Sequence, residues 1–584
     1  MAILKKILRI FTILILSLTA SEMSAQHILE VLPADSLSEQ QISRLNYNTK
    51  HNSATEAKQE LQRILRFFFN KGCLTATIDS IVQDSNATKA WLFTGEVYRL
   101  SVIRPGNADA VILGQSGFKE KFYTDRPFSP EEIVKLHENI LLYCENNGYP
   151  FAQVKLDSVT IMPDRSVAAS LNLNLNQKVI IDTIIIKGNS KLHRKFIRNY
   201  FSIKKGDVYD ESKVARIAEK MGDLPFVSEI REHEVAFVDD KAKIIFYIDK
   251  QKASQFDGIL GIAPNEQSTG KLLITGDIKL KLLSAFNRGE LIDFNWRKLE
   301  EKTQDLNFHF NFPFLFSTPF GLDYQLQLFK KDTSYLTLTN NIGVHVMFNG
   351  YNYVKAFYEN QRSDLLSTEG LEFATVLPEY ADVTTSLYGV GVNLNKLNYR
   401  YNPRSGYRFD LSGAIGSKKI RENSNVNPAL YDSIPLSSTL YRLELNADVF
   451  IPSFHSATFL IGNKSGFLAN ENLFDNELYR IGGLKTLRGF DEESILASTY
   501  SIFTVEFRYL FDQNSYFQIF FDGAYYERNA NSGYVKDTPY GFGVGINFET
   551  RAGIFALSYA LGNREGQPIQ FKSAKIHFGL TAKF

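Results

Sequence analysis

From about Phe256 to Phe584 the chain falls into segments of about ten residues in which apolar and polar side chains alternate. A period of two belongs to an extended strand, whose successive side chains point to opposite faces. Ile278, Leu280 and Leu282 oppose Asp277, Lys279 and Lys281; Ile292, Phe294 and Trp296 oppose Asp293, Asn295 and Arg297. Leu443, Leu445, Ala447 and Val449 oppose Arg442, Glu444, Asn446 and Asp448. One face is too apolar for water and the other too charged for lipid, where each charge near the midplane costs about 2–4 kcal/mol. A sheet closed around a wet or protein-filled lumen satisfies both faces at once.

Sixteen strands can be counted, starting near residues 256, 271, 289, 303, 319, 335, 352, 384, 406, 439, 455, 499, 514, 540, 552 and 575. If the first rises from the periplasm, loops after odd-numbered strands are extracellular, the side on which such barrels carry their longer loops. The long intervals lie near 363–383, 417–438, 467–498, 526–539 and 562–574, each after an odd strand. The turns between are short: Asn349-Gly350, Pro452-Ser453, Phe511-Asp512-Gln513 and Glu549-Thr550-Arg551. A soluble β-sandwich alternates too, but has no reason to sort its loops by parity. Residues 253–584 are therefore expected to form a 16-stranded antiparallel transmembrane β-barrel. The 46 Phe and 29 Tyr, against 2 Trp, suit both strands and interfacial girdles.

One long interval, 467–498, carries Gly482-Gly483-Leu484-Lys485-Thr486-Leu487-Arg488-Gly489-Phe490. In the strand that follows, Phe503, Val505, Phe507 and Tyr509 share one face, and Thr504, Glu506 and Arg508 the other. In the next, Asp522 lies opposite Phe517, Ile519 and Phe521. If both strands wall a barrel, Glu506 and Asp522 point into the lumen, within reach of an arginine folded in from the loop. This pattern resembles the signature of the BamA/TamA superfamily, the bacterial surface antigen family of outer-membrane assembly and translocation proteins. Tyr401-Asn402-Pro403-Arg404-Ser405-Gly406 and Phe310-Asn311-Phe312-Pro313 fit it as well. The closing strand Lys575–Phe584 resembles the aromatic-ended signal by which such barrels are recognised for insertion.

The resemblance implies that Arg488 enters the lumen and pairs through its planar fork with Glu506 and Asp522. It implies close backbone approach at Gly489, an anchored tip at Phe490, and an inward bend at Gly482 and Gly483. From the residues alone, a solvated loop arginine worth little energy is the competing arrangement.

Ahead of the barrel, a unit of strand, helix, helix, strand, strand recurs at 26–97, 98–178 and 179–252. The second copy opens at Tyr98–Ile103 and has a capped helix start at Ser129-Pro130-Glu131-Glu132. Ile133, Leu136, Ile140 and Leu141 follow at helical spacing, and Asn147-Gly148-Tyr149-Pro150 stops the helix. The third has a strand at Ile181–Gly188, helices near 191–200 and 211–221, and strands near 226–237 and 243–248. The first is the most degenerate, its clearest element a helix over Ala54–Asn70. Gly95-Glu96-Val97-Tyr98 and Ile186-Lys187-Gly188-Asn189 resemble phrases of polypeptide-transport-associated (POTRA) domains, so the fold class is multi-domain, α+β POTRA modules followed by the barrel. Lys5, Lys6 and Arg9, the apolar run Ile10–Thr19 and Ser24-Ala25-Gln26 read as a signal peptide over 1–25. Cys73 and Cys144 occupy equivalent places in two modules and read as small buried hydrophobes, a disulfide being the alternative.

Net charge is +1, so nothing points to nucleic acid. Nucleophile-elbow, zincin, phosphate-loop and paired-cysteine motifs are absent, and Gly541-Phe542-Gly543-Val544-Gly545 lies in an alternating strand, where glycine marks close packing or a bend. No enzyme, metal or cofactor is expected. The resemblance implies an outer-membrane factor with periplasmic modules that receives unfolded outer-membrane or secreted chains. Its partners would be those chains, the lipid bilayer and an inner-membrane or lipoprotein component. In one mechanism the seam between first and last strands templates new strands; Gly258 and Gly261 weaken the first strand there, and Phe584 closes the last. In the other, the chain is a two-partner-type exporter pore for a dedicated substrate. Three modules and no evident plug helix before Ala54 favour the first, closer to TamA-like than to BamA-like proteins.

Overall fold

The computed structural model describes residues 27–264, 272–298, 302–349, 352–399, 402–432, 434–454, 456–550, 553–564, 569 and 574–583. The expected signal peptide and Phe584 lie outside these residues. The chain divides into two compact units. Residues up to Asp182, with Gly206–Val214 and Phe237–Ala242, make the first; Thr183–Lys205, Ala215–Ala236 and the chain from Lys243 onward make the second.

The first unit holds two modules of one topology. β1 (His27–Pro33), α1 (Ser36–Ile42), β2 (Lys50–His51), α2 (Ala54–Asn70), β3 (Thr77–Gln83) and β4 (Ala87–Phe93) form a sheet ordered β2-β1-β4-β3. β5 (Arg99–Arg104), α3 (Ala110–Gln115), β6 (Thr124–Pro127), α4 (Pro130–Asn146), β7 (Gln153–Ile161) and β8 (Ser166–Asn174) form the sheet β6-β5-β8-β7. In both, the opening strand runs parallel to the closing one. The helices start where caps dictate. Asp35, Ser53 and Ser129 each accept a hydrogen bond from a backbone N–H three residues on, with Pro130 at the first turn of α4. Thus the first module is complete, and its least legible parts were β1 and the seven-residue α1. Ile133, Leu136, Ile140 and Cys144 form the buried stripe of α4, while Leu141 is half-buried. Cys73 and Cys144 are free thiols in separate cores, which removes the disulfide alternative.

The third module comprises β9 (Ile180–Lys187), α5 (Arg194–Phe201), α6 (Glu211–Val214), α7 (Ile217–Gly222), β10 (Val227–Val238) and β11 (Lys241–Lys250), with sheet order β10-β11-β9. The helix expected over 211–221 is broken at Ala215-Arg216 into α6 and α7. Within the second unit, α5 docks on two turns of the barrel. His193 N–H donates to the Asn287 carbonyl at 2.8 Å, and the Phe196 ring meets Phe314 edge-on at 5.6 Å between centroids. Gly289 lies under that ring, where a Cβ would collide with it.

The barrel opens with β12 (Gln255–Pro264), β13 (Leu272–Leu283), β14 (Leu291–Lys298), β15 (Gln304–Phe312), β16 (Phe320–Lys331) and β17 (Tyr335–Asn349). β18 (Asn352–Leu365), β19 (Val383–Leu397), β20 (Gly406–Ile420), β21 (Ser437–Pro452) and β22 (Ala457–Ala469) continue it. A long loop then carries the hairpin β23 (Tyr479–Ile481) and β24 (Ile495–Ala497). The wall resumes with β25 (Thr499–Asp512) and β26 (Ser515–Ala530), whose far end pairs with the short β27 (Gly533–Asp537). β28 (Tyr540–Thr550), β29 (Gly553–Asn563) and β30 (Lys575–Lys583) complete it. Setting β23, β24 and β27 aside, sixteen antiparallel strands close into a barrel through β30 and β12. Each expected strand start lies within two residues of the observed one. The interval 526–539 differs: it is a hairpin extension, since β26 continues to Ala530 and β27 returns beside it.

The two faces divide as the alternation requires. Along β17, Ile342, Val344, Val346 and Phe348 are exposed on the outer face, whereas Asn341 and His345 are buried inside. A band of exposed Ile, Val, Tyr and Phe is unstable in water and matched to lipid. The docked turns, 284–290 and 313–319, follow the second and fourth strands of the barrel, so α5 sits at the end opposite the long loops.

Leu136→Ala deletes a side chain only 1% exposed in the second module. It is expected to cost that module about 2–5 kcal/mol, read as a lowered denaturant midpoint for the module while barrel strands keep their protection in hydrogen exchange.

Candidate functional site

The loop between β22 and β25 is a folded element inside the barrel. Gly482 (φ +116°) and Gly483 (φ +92°) take left-handed backbone that turns the chain inward. Thr486 Oγ1 closes that turn, accepting from Gly482 N–H at 2.9 Å and donating to the Gly482 carbonyl at 2.8 Å. Leu487, fully buried, joins Ile481, Ile495, Ala497, Ile502, Ala524 and Tyr526 in a small apolar core, with Phe490 packed against it. This core seats the loop on β25 and β26, so the position of the next residue, Arg488, is set by packing rather than by its charge alone.

Arg488 is 8% exposed, Glu506 3% and Asp522 0%. Arg488 Nε and Nη2 donate to Asp522 Oδ2 and Oδ1, both at 2.7 Å, as a two-pronged fork. Nη1 donates to Glu506 Oε2 at 2.7 Å, and the Arg488 backbone N–H donates to Asp522 Oδ2 at 3.2 Å. The guanidinium lies 3.6 Å from the centroid of the Phe520 ring. Register explains the convergence: Thr504 pairs with Asp522 and Glu506 with Phe520 across β25 and β26, so all four project to one side at adjacent levels. Thr504 Oγ1 donates to Asp522 Oδ1 at 2.9 Å, and Arg508 Nε donates to Glu506 Oε1 at 2.6 Å. Buried Arg488 and half-buried Arg508 thus meet two buried anions, the balance that makes such a cluster tolerable away from water.

The loop tip rests on bare backbone. Gly489 (φ +94°) lies against Leu561 and Gly562, and a Cβ on Gly562 would stand 2.5 Å from the Gly489 carbonyl oxygen. Gly541, paired with Gly562 across β28 and β29, has no room for a Cβ beneath the Arg488 carbonyl. Two glycines opposite each other make a flat landing for the loop. The sequence marked Gly541 as a place of close packing or a bend, and the fold shows close packing, against the Arg488 carbonyl.

A second anchor reaches the other side of the lumen. Arg297 of β14 donates to Glu493 Oε1 at 2.6 Å and to Asp305 Oδ2 of β15 at 2.5 Å. Arg480 stacks on the Phe329 ring of β16 at 3.3 Å, with Glu493 Oε2 3.5 Å from its Nη1. Glu493 holds φ at +56°, a strained conformation for a non-glycine residue. Nearer the long-loop end, Lys418, fully buried, pairs with Glu477 at 2.5 Å. Sequence reading missed Arg297, Arg480, Glu493, Lys418, Arg508 and Phe520. The available signal was an aromatic, Phe520, on an otherwise polar face two residues before Asp522. Beside the loop remains a polar cavity of about 830 Å³, lined by groups such as Lys279, Asn295, His309, Gln325, Lys355 and Glu359. Among the described residues no cluster of three or more His, Cys, Asp or Glu is disposed to hold a metal.

Gly258 and Gly261 lie in β12, and Gly258 and Ile278 are register partners in β12 and β13. Among the described residues, β12 makes three residue pairs against β30, Gln255–Lys583, Phe256–Ala582 and Asp257–Thr581, compared with ten against β13. Both glycines therefore fall beyond the paired part of the seam.

Arg488→Ala strands Asp522 with Thr504 as its remaining hydrogen-bonding side chain. It is expected to cost about 3–5 kcal/mol, seen as a lower temperature for loss of the folded band in heat-modifiability gels while the barrel still inserts. Gly562→Val, which blocks the landing, is expected to raise single-channel conductance in planar bilayers; unchanged conductance would mean that the tip does not narrow the pore.

Residues 285–584, just over half of the chain, match the Omp85 superfamily domain, and residues 179–251 match the surface antigen variable number repeat, a POTRA model. No curated protein matches the chain in sequence. Among solved structures, the fold is similar to CdiB from Escherichia coli, at 12% identity over 91% of this chain and 97% of that one, TM-score 0.55. CdiB from Acinetobacter baumannii gives 13% identity, 91% and 97% coverage and a TM-score of 0.53. BamA from Haemophilus ducreyi lacking POTRA domains 1–3 gives 16% identity, 83% and 100% coverage and a TM-score of 0.44. With POTRA-type modules ahead of a closed sixteen-stranded barrel and a matching domain model over most of that barrel, the chain belongs to the Omp85 superfamily.

Proposed function

We propose that this protein assembles outer-membrane proteins, opening its barrel between β12 and β30 to template incoming strands. The family inserts or translocates proteins at the outer membrane. The reading for insertion is carried by one observation: among the described residues the seam is held by three residue pairs, whereas β29 and β30 share seven and β12 and β13 ten. Strand pairs stabilise a sheet roughly in proportion to their number, so the barrel parts first at this seam. Beyond Asp257, the β12 backbone lacks a β30 partner and offers donors and acceptors to a new strand.

The inward loop would keep the rest of the wall fixed while the seam opens. It is tied to β14, β15 and β16 on one flank of the seam through Glu493 and Arg480, and to β25, β26, β28 and β29 on the other through residues 487–490. In the periplasm, the modules would take up unfolded substrate chains. β3 and β7 each pair on one side only and can accept a strand on the other. α1, the helix that precedes Ala54, is packed into the first module through Ser38 and Ile42 and is not free to act as a plug. An exporter pore is the competing mechanism, and it would pass its substrate through the lumen with the seam shut.

Cysteines replacing Asp257 and Thr581, which face each other across the seam, separate the two. Oxidation of the pair is expected to stop the appearance of new outer-membrane proteins, with recovery on reduction. Full activity of the oxidised form would sink the seam mechanism. In orientation, a cysteine at Glu369 is expected to react with an impermeant maleimide on intact cells, and one at Gln513 only after the outer membrane is breached.

A further inference from the structure

The lipid-facing wall carries a dent half the circumference away from the seam. Val390, Gly413 and Leu443 lie side by side across β19, β20 and β21, with Phe467 of β22 next in the row. The row nearer the long loops holds Tyr388, Ile415 and Tyr441. These side chains point outward, with Tyr388 66% and Val390 64% exposed. Gly413 interrupts the rows, and the result is an apolar groove of about 670 Å³.

Packing within the wall does not demand this glycine. A Cβ on Gly413 would meet nothing closer than Leu443 Cδ1, at 3.7 Å. Its neighbours behave differently: at Gly389 a Cβ would strike the Phe357 ring, and at Gly416 the Ser386 carbonyl. Glycine inside a strand weakens it, and where the protein itself leaves room for a side chain, the position marks close approach by something else. Nothing in the groove can read a charged head. The adjacent Arg442 turns inward to Glu359, at 2.6 Å, and leaves aromatic rings, aliphatic groups and backbone as the lining.

We propose that this groove is a resident binding site for one acyl chain of a membrane lipid in the leaflet on the long-loop side. The groove is continuous with the lipid-facing band, and it runs from the midpoints of β19 and β20, at Val390 and Gly413, toward the long loops. A chain seated over Gly413 touches Tyr388 and Val390 on one side, Tyr441 and Leu443 on the other, and backbone beneath. On a flat stretch of wall it has contact on one side alone. Dispersion and apolar burial both grow with that contact, so a chain here exchanges more slowly than the surrounding lipid.

The test uses the full-length protein in mild detergent, supplied with dipalmitoyl phosphatidylethanolamine and read by native mass spectrometry. Wild type is expected to retain one lipid per chain. Gly413→Phe, which fills the groove, should lose that adduct, and Tyr441→Ala, which removes one wall, should weaken it. Val505→Phe, on the lipid-facing side of β25, should leave it unchanged. Heat-modifiable mobility reports folding, and Tyr441→Ala decides the matter if Gly413→Phe does not fold. Wild-type retention in both groove variants, equal loss in Val505→Phe, or a dimer in place of the lipid adduct would each overturn the proposal.

Discussion

A guanidinium enclosed by two carboxylates inside the barrel organises much of what surrounds it. Arg488 cannot be left buried without anions, and Asp522 and Glu506 cannot both be buried without a cation, so each side of the contact holds the other in place. The fork geometry adds direction, because a two-pronged contact to Asp522 fixes the plane of the guanidinium and lays it over Phe520. Lysine could supply the charge, but its three N–H donors radiate from one nitrogen and give neither the plane nor the spread of the fork. The ion cluster therefore sets the orientation of the loop, and the small apolar core around Leu487 supplies its adhesion.

From that fixed point the loop acts as a crossbar. Its tip presses on the Gly541–Gly562 landing, while its return limb carries Glu493 across the lumen to Arg297. Strands on both flanks of the seam are thereby connected through an element that is not part of the wall. A barrel weakened at one seam tends to loosen throughout, since each strand is held only by its neighbours. An internal tie changes this by joining distant strands directly; under the proposed mechanism it would confine opening to β12 and β30. The left-handed backbone at Glu493 is the local cost of reaching the far side.

The modules obey a different logic. Their cores are small, each built from two helices against one sheet, and their caps and glycine stops are written in contiguous residues. Repetition made them legible: once the second and third copies were seen, the first could be expected at 26–97 even though β1 and α1 carry weak signals. The break between α6 and α7 was not legible, because the run Glu211–Met221 has no glycine or proline to announce it.

The sequence by itself determined the number of barrel strands, the face each side chain takes, the side on which long loops lie, and the presence of Arg488, Glu506 and Asp522 as candidates for one site. These follow from a period of two and from turn residues, both local properties. Only the tertiary structure decided which residues of different strands stand at the same height. That depends on the stagger between strands, and alternation carries no record of it. Hence Phe520, Arg508 and the Gly541–Gly562 landing came into view with the fold, as did the pairing of Arg297 with Glu493 and the three-pair seam. The dent at Gly413 belongs to the same class: one missing side chain is unremarkable in a sequence and becomes a groove when its cross-strand neighbours are known.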